Sequence, residues 1–438
     1  MARYFKFLLL VTFICFIPLC AKEKKDWTFI VYAAADNNLR DFAPRNIKQM
    51  GSVGSNKNIN ILVHVDIRLS GQKKMTRRYV VKKGDTVQVE IPNEKLPMDS
   101  GDPQSLISAC RWAITEFPAE HYALIFWNHG TGIIDPYGKR AFNTNNLMVF
   151  NPASGSFELD RSYSYIDLIE DSVSDPKGIC WDDSTGNYLT NQKLEFALNE
   201  ITTKYLNGKK FDIIGFDACL MAMLEIAEII KRYGDIMIAS AEVEPGPGQR
   251  YDEALSLFHA GSPDPKTFAI HWVNSFAKAY KVGGISLAFA DYTQSALDMN
   301  EIEAVEQNID KLGQQFIEGL ATDPHSYKNM ITVSRSKRNC THFTEPTYID
   351  LNHFYHNLLK QINSGTVKGN LANDIRATLE TGIKLIKKAI IHNVSGPHLP
   401  GSSGITIYFP EKRIHPSYKK SNFAKNSWAK FMTSFLLS

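Results

Sequence analysis

Short, continuously apolar segments recur along this chain, and they constrain its fold more than any other feature. Strands buried on both faces of a sheet have this composition, whereas strands with one face in water alternate apolar and polar residues. The segments therefore predict a mostly parallel sheet that is covered on both faces. They are bounded by turn-forming residues and occupy positions 27–35, 60–67, 122–127, 211–216, 236–242, 285–290 and 404–409.

Amphipathic segments between these strands predict helices. One follows Asp102 and another follows Thr190, both of residue types that cap helix N-termini. Residues 219–234 predict a third helix, which ends in basic residues and a glycine. Residues 78–91 alternate around a Gly-Asp turn and predict a hairpin at an edge of the sheet. Together, the strands and helices predict an α/β protein in three layers, with the sheet between two helical layers.

The N-terminus has the composition of an export signal. Two basic residues precede an apolar run at residues 7–19, which is short for a transmembrane helix, and a lysine-rich segment follows. Cys20 stands where a bacterial lipoprotein signal places its lipidated cysteine, but Leu19 is larger than the residue usually found before that cysteine. Lipidation of Cys20 and ordinary cleavage near Ala21 are therefore alternatives. Both predict an exported bacterial protein that is periplasmic, anchored to the outer membrane or secreted.

Composition argues against several partner classes. The chain has 438 residues, with 49 Lys and Arg against 46 Asp and Glu. A chain so close to neutral favours neither nucleic acid nor an anionic membrane as a partner, so a lipid on Cys20 is the only membrane attachment that we expect. The six cysteines stand singly, which argues against a structural zinc site, and we expect Cys110 to be an ordinary buried residue. We expect a monomer.

The same patterns divide the chain into three parts. After a signal peptide at residues 1–19, residues 20–295 hold most of the strands and predict the main α/β domain. Within it, residues 138–178 are rich in Asn, Ser, Asp and Pro and predict a long loop, which in a compact domain is usually functional or disordered. Residues 296–438 are helical and charged until the strand at 404–409 returns to the core.

Two strand ends carry the candidate chemistry. One apolar strand is followed by His129 and Gly130, and another by Asp217 and Cys219. Catalytic groups collect at the carboxyl ends of parallel strands, and a thiol at a helix N-terminus has a lowered pKa that favours the nucleophilic thiolate. Backbone amides there could bind the oxyanion of a tetrahedral intermediate. The alternative interpretations are an inert core cysteine, a packed histidine and an aspartate that caps the next helix.

Six blocks of sequence stand in the order WTFIVYAAADNNL, YALIFWNHGTG, GICWDDSTGNYLT, FDIIGFDACLMAMLEIA, ASAEVEPGPG and GITIYFP. In this order they resemble the clostripain family of cysteine peptidases, relatives of caspases, legumains and gingipains. The resemblance runs from about Trp27 to about Tyr251, with a weaker match near the C-terminus. It implies the caspase-haemoglobinase fold and a cysteine endopeptidase that acts on peptide or protein substrates.

The resemblance also implies roles for individual residues. Cys219 corresponds to the nucleophile, and His129 to the partner that polarises the scissile amide or protonates the leaving amine. Gly130 and Cys219 would supply the oxyanion amides. Asp217 would line the pocket for the side chain that precedes the cut, where a carboxylate favours Arg or Lys. The resemblance implies no required cofactor.

The chain departs from the family at the wall of this pocket. Many relatives that cut after Arg or Lys have the motif PGDGW, whereas residues 244–251 of this chain are EPGPGQRY. Pro247 removes the second pocket acid, and Glu242 or Glu244 is the candidate replacement. The change favours an alternative function, a non-catalytic exported binding or surface protein with the same fold. The retained cysteine and histidine argue against that alternative.

Family members are often made as precursors that are cut between the histidine and cysteine blocks. In this chain the cut would fall at residues 138–178, where Lys139 and Arg140 are candidates for self-cleavage; an ordinary surface loop has the same composition. Some relatives depend on calcium, and Asp182 with Asp183 is the local candidate for a calcium site. This pair lacks the spacing of an EF-hand loop, and formation of a turn is its alternative role.

Overall fold

The structure is a computed structural model that describes residues 23–134, 148–151, 156–159, 178–280 and 291–438. The strands within these ranges are β1 (Lys25–Ala35), β2 (Ile59–Ile67), β3 (Met75–Lys82), β4 (Asp85–Val89), β5 (Ala119–Trp127), β6 (Met148–Asn151), β7 (Ser156–Leu159), β8 (Ile179–Asp182), β9 (Asn187–Leu189), β10 (Phe211–Asp217), β11 (Gly234–Ala239), β12 (Thr293–Asp298), β13 (Tyr348–Asp350), β14 (Ile390–Ser395) and β15 (Thr406–Tyr408). The α-helices are α1 (Ala43–Val53), α2 (Pro103–Glu116), α3 (Asn191–Lys204), α4 (Leu224–Ile230), α5 (Tyr251–Ala254), α6 (Pro265–Tyr280), α7 (Ile302–Thr322), α8 (Pro324–Arg335), α9 (Leu351–Asn363), α10 (Asn370–Ala389) and α11 (Ser427–Leu437).

A nine-stranded sheet lies at the centre of the molecule, in the order β14, β12, β11, β10, β5, β1, β2, β3, β4. The strands from β11 to β2 in this order are parallel, and antiparallel pairs extend the sheet at both edges. The predicted mostly parallel sheet, its apolar strands up to β11 and the edge hairpin of β3 and β4 are therefore confirmed. The strand predicted at 285–290 lies outside the described residues.

Both faces of the sheet are covered, which gives the predicted three layers. Ile30 and Tyr32 of β1 belong to one hydrophobic core, with residues of α2, α3 and the C-terminal helices α7, α9, α10 and α11. Val31 and Ala33 belong to the other core, with residues of α1, α5 and α6. Because successive side chains of a strand point to opposite faces, a strand between two cores must be apolar throughout.

The predicted helix starts are confirmed at α2 and α3. Asp102 accepts a hydrogen bond from the Gln104 amide at 2.9 Å, and Thr190 accepts one from the Lys193 amide at 3.1 Å. Cys110 in α2 is fully buried, as expected. The four cysteines in the described part of the chain are all free and buried; they are Cys110, Cys180, Cys219 and Cys340.

The C-terminal region joins the sheet differently from the prediction. β12 spans Thr293–Asp298, so the boundary expected between residues 295 and 296 falls inside a strand. β14 is the strand that returns to the main sheet, and its side chains are only half buried, so it lacks the apolar signature of a central strand. The segment predicted at 404–409 contains the shorter β15, which pairs with β13 in a separate two-stranded sheet. No helix among the described residues is both long and apolar enough to span a membrane.

Candidate active site

Cys219 and His129 follow adjacent parallel strands that end at the same edge of the sheet. Trp127 in β5 pairs with Asp217 in β10, and the Asn128 amide donates a hydrogen bond to the Asp217 carbonyl at 3.2 Å. Two residues beyond this matched pair stand His129 and Cys219, which are 5% and 7% exposed. The strand register therefore brings the two residues to one edge, where the strand ends predicted them.

Cys219 does not lie at a helix N-terminus, and that part of the prediction is wrong. The helix expected from residue 219 onward begins only at Leu224. Before it, the Leu220 amide donates to the Glu242 carbonyl at 3.3 Å, and Leu220 has a left-handed φ of 64°. Such a conformation is strained for a residue with a side chain and is found mostly where surrounding structure requires it. The chain therefore turns sharply just after the thiol.

The surroundings of the thiol also reverse the expected direction of its pKa shift. Burial raises the pKa of Cys219, and the charges of Glu244 and Glu242 raise it further. The backbone amides of Glu244 and Gly130 act in the opposite direction, because both donate hydrogen bonds to the sulfur; the Glu244 nitrogen lies 3.4 Å from Sγ. At neutral pH the resting residue is therefore a thiol.

Gly130 packs directly on the backbone of Cys219. A Cβ atom at Gly130 would lie 2.5 Å from the Cys219 carbonyl oxygen, which is closer than real Cβ contacts. The missing side chain lets the two strand ends approach, so that the Gly130 amide reaches the sulfur. Gly130 was a predicted oxyanion donor. The Glu244 amide was not predicted, because it reaches the site from the segment after β11, far from Cys219 in sequence.

His129 is held on two sides by residues that sequence reasoning did not single out. Its Nε2 atom lies 2.6 Å from Oδ1 of Asn38, which follows β1. Its ring lies against Trp181, with 5.1 Å between ring centroids and 36° between planes. Asn38 belongs to the first of the six sequence blocks, and its place just after β1, the strand next to β5, is the signal that could have found it.

Asp217 and Glu244 form a buried carboxyl pair. Asp217 accepts hydrogen bonds from the Gln249 amide at 3.0 Å and from the Tyr251 hydroxyl at 2.8 Å, and it is also hydrogen-bonded to the Glu244 carboxyl. Glu244 accepts from the Gln294 side-chain amide at 3.1 Å. Burial raises the pKa of both carboxyls, and in Glu244 the charge of Asp217 adds to the effect. The pair therefore holds a shared proton, and Asp217 is not a helix cap.

Glu242 lies apart from this carboxyl pair. Its two carboxylate oxygens accept from the Thr344 amide at 3.1 and 3.0 Å, so it joins the segment after β11 to the C-terminal region. Gly248 covers the pair, since a Cβ there would lie 2.6 Å from the Asp217 Oδ1 atom. Of the two acids proposed to replace the missing one, only Glu244 contacts Asp217.

The C-terminal region contacts the loops that follow both candidate catalytic residues. The Tyr348 hydroxyl donates to the Thr131 carbonyl at 2.5 Å and accepts from the Ile134 amide at 3.2 Å, just after His129. The Thr406 amide donates to the Ala222 carbonyl at 2.9 Å, just after Cys219. The small sheet of β13 and β15 thus holds both loops, a role that its sequence did not reveal.

Asp182 forms an ion pair with Lys74 and accepts hydrogen bonds from the backbone amides of Ser100 (3.0 Å) and Thr185 (3.2 Å). It belongs to the tight turn between β8 and β9, which was the alternative role considered for this segment. Within the described residues there is no group of three or more His, Cys, Asp or Glu residues that could hold a metal ion. Calcium dependence therefore stays a prediction.

Three predicted sites lie outside the described residues: Cys20, Lys139 and Arg140. Within the predicted loop at 138–178, β6 and β7 pair in an antiparallel two-stranded sheet.

Solved structures show that this fold is shared. A secreted C11 cysteine protease from Bacteroides thetaiotaomicron, in complex with an irreversible peptide inhibitor, is 18% identical and superposes with a TM-score of 0.58; the match covers 94% of this chain and all of that one. An inactive zymogen C11 protease from Parabacteroides distasonis is 16% identical, with a TM-score of 0.59 and coverage of 93% and 99%. These likenesses confirm the predicted caspase-like architecture.

Sequence comparisons identify the family. The clostripain of Hathewaya histolytica is 21% identical over 452 positions, which cover 92% of this chain and 78% of clostripain. The profile of the clostripain family matches residues 31–149 and 167–434, which is most of the chain and includes both strand ends of the candidate site. The chain therefore belongs to the clostripain family, and it is a cysteine endopeptidase by class.

Proposed function

We propose that this protein is an exported endopeptidase in which Cys219 attacks the substrate and His129 transfers the proton. The observation that carries the proposal is the convergence at one sheet edge: two residues in matched strand positions, with the Gly130 amide directed at the sulfur. A nucleophile beside a proton carrier and an amide donor is the arrangement that acyl transfer requires.

The raised pKa of Cys219 shapes the mechanism. Because the resting group is a thiol, its proton passes to His129 as Sγ bonds to the carbonyl carbon. The carbonyl electron pair moves onto oxygen, where the amides of Gly130 and Cys219 donate hydrogen bonds to it. His129 then gives the proton to the leaving amine as the C–N bond breaks, and water hydrolyses the remaining thioester.

We further propose that the protein cuts after Arg or Lys. The carboxyl pair is buried, and no Lys, Arg or His of the described residues contributes to its electrostatics. A buried negative charge is costly unless a cation pairs with it. The side chain of a substrate Arg or Lys would supply that cation, with Glu244 in place of the acid lost at Pro247.

Two finer proposals concern maturation and location. Cleavage after Lys139 or Arg140 by the protein itself would follow from the same preference for basic residues. The N-terminal leader supports export, with Cys20 either lipidated or removed near Ala21. The relative from Bacteroides thetaiotaomicron is described as secreted, and the one from Parabacteroides distasonis as an inactive zymogen.

The first experiment measures hydrolysis of fluorogenic peptides that differ only in the residue before the cut. It compares residues 21–438 with the Cys219→Ala variant, with and without calcium. We expect cleavage after Arg or Lys and a loss of at least about 1,000-fold in the variant, as for removal of other catalytic nucleophiles. Cleavage after another residue would reject the specificity alone. Silence across the panel, even after limited proteolysis within 138–178, would favour the non-catalytic binding protein.

A separate test addresses self-cleavage. The Cys219→Ala protein should stay intact when it is purified, while the wild-type chain is cut after Lys139 or Arg140, as read by mass spectrometry of the fragments. Splitting of the variant at the same place in clean buffer would show that another protease makes the cut.

A further inference from the structure

We propose that Asn38 is a positioning residue for His129, which it holds so that Nε2 bears a proton and Nδ1 exchanges the catalytic proton. The inference rests on the proposed function, because it assigns the atom of His129 that acts in peptide cleavage. It starts from one contact, the 2.6 Å distance between His129 Nε2 and Asn38 Oδ1.

The chemistry of the two groups sets the direction of this hydrogen bond. An amide oxygen can only accept, so the imidazole nitrogen facing it must donate. A neutral imidazole has one protonated nitrogen, and here that nitrogen is Nε2. Nδ1 therefore gains and loses the mobile proton, while Nε2 keeps its proton in both charge states of the ring.

Asn38 is able to act as a fixed acceptor because its neighbour anchors the turn. The Asn37 side-chain amide donates to the Ala34 carbonyl at 2.8 Å and to the Trp181 carbonyl at 3.1 Å. The Asn37 Oδ1 atom accepts from the Leu39 amide at 2.9 Å. The backbone that carries Asn38 is thus joined to the end of β1 and to β8.

Trp181 supplies the second restraint on the ring. It packs on the His129 face, and its own amide donates to the Asn128 side chain at 2.9 Å. The packing of Trp181 restrains the plane of the His129 ring, and the hydrogen bond to Asn38 fixes Nε2 as the nitrogen that donates. A Cys, His and Asn with these roles also occur in peptidases of unrelated folds, where the amide orients the histidine.

Nitrogen-15 NMR of histidine tests the tautomer without any need for activity. The spectrum is recorded on the Cys219→Ala protein at a pH where the ring is neutral. The His129 signals are assigned as those that disappear from the spectrum of a double variant that also carries His129→Gln. We expect a protonated Nε2 and a bare Nδ1, and a mixture of tautomers once Asn38→Ala is introduced. A protonated Nδ1 in the protein with Asn38 intact would overturn the inference.

Kinetics tests whether the contact matters for cleavage. Asn38→Ala should lower kcat by about 10- to 100-fold with little change in KM, a cost of the size seen when a metal-bound histidine loses the partner that orients it. Asn38→Asp should recover part of the loss, because its carboxylate accepts the same hydrogen bond. A change of less than twofold in Asn38→Ala would overturn the inference.

Asn56→Ala is the matched control for these variants. Asn56 also uses its side-chain amide in a loop, accepting from the Asn58 amide at 2.8 Å and donating to the Phe258 carbonyl at 3.2 Å, but it lies at the other edge of the sheet, before β2. It should leave kcat unchanged. If the wild-type chain itself cleaves no peptide, the proposed function fails, and the NMR result still decides the tautomer.

Discussion

Two groups of buried acids among the described residues differ in one respect: a lysine lies beside the first, and no described cation pairs with the second. Asp66 at the end of β2 and Asp182 in β8 lie near Lys74, which forms an ion pair with Asp182. Asp66 also accepts hydrogen bonds from the hydroxyls of Ser100, at 2.8 Å, and Thr76. In the carboxyl pair of Asp217 and Glu244, hydroxyl and amide donors are present but no described side chain brings a positive charge.

The pKa shifts of Asp66 and Asp217 differ in direction, although burial still raises the pKa of Asp182 in spite of its ion pair with Lys74. Burial is the largest influence on Asp66, yet the hydrogen bond from Thr76, the nearby His64 imidazole and the charge of Lys74 outweigh it and lower its pKa. In the carboxyl pair, burial prevails and the pKa of Asp217 is raised. The difference teaches that the first group is complete in itself, whereas the second is completed by a proton or, in our proposal, by a substrate cation.

The largest expected effect comes from breaking the complete group. Lys74→Met leaves Asp182 buried without its partner and should lower the free energy of unfolding by about 3–5 kcal/mol. Urea denaturation followed by circular dichroism measures this change. Lys73→Met is the control, because it removes the same charge from the same loop at a residue that is exposed. Equal losses in the two variants would contradict the assigned role of the ion pair.

The next effect concerns the incomplete group. Asp217→Asn removes one of the two carboxyls of the pair and should lower kcat/KM for Arg and Lys substrates by about 100-fold, the scale of losing one partner of a buried charge pair. Stability should change little, since no cation loses its partner. The peptide panel measures the ratio of basic to neutral substrates.

Asp212→Asn is the control for that variant. Asp212 lies at the opposite end of β10, where it accepts a hydrogen bond from the Tyr122 amide at 2.8 Å and contacts His121. Its substitution therefore removes a carboxyl from the same strand, but away from the site. The substrate ratio should be unchanged in this control. If the ratio is also unchanged in Asp217→Asn, the carboxyl pair does not recognise the basic side chain.

The smallest effect is a pH dependence of opposite sign in the two groups. The folded-state pKa of Glu244 is raised, so its contribution to stability is greatest at acidic pH and falls as the pH rises above about 4.3, the ordinary value. The Glu244→Gln variant has no carboxyl to titrate at this position, so its free energy of unfolding should rise relative to that of the wild type as the pH increases from 5 to 8.

Asp66→Asn should show the reverse trend. The folded-state pKa of Asp66 is lowered, so its stabilising contribution is present above the ordinary value of about 3.9 and is lost as the pH falls through the folded value. The variant should therefore be less stable than wild type at neutral pH, with a difference that shrinks in acid. Thermal melts from pH 3 to pH 8 measure both variants, and parallel curves would contradict the comparison.

Local patterns predicted much of this molecule. Apolar runs marked β1, β2, β5, β10 and β11, and Asp102 and Thr190 marked helix starts, because periodicity and capping depend on neighbouring residues. The helix after Cys219 was placed too early for the opposite reason. The Leu220 amide bonds to Glu242 on another segment, and a contact between distant residues leaves no periodic signal.

The sequence by itself determined the layered α/β architecture, the family, and the arrival of His129 and Cys219 at one sheet edge. These follow from apolar periodicity and from the rule that parallel strands end together. Only the tertiary structure decided that the thiol is buried, that the Glu244 amide reaches it, and that Asn38 faces the histidine. Burial and hydrogen-bond partners depend on which distant segments pack together, and that information exists only once the chain has folded.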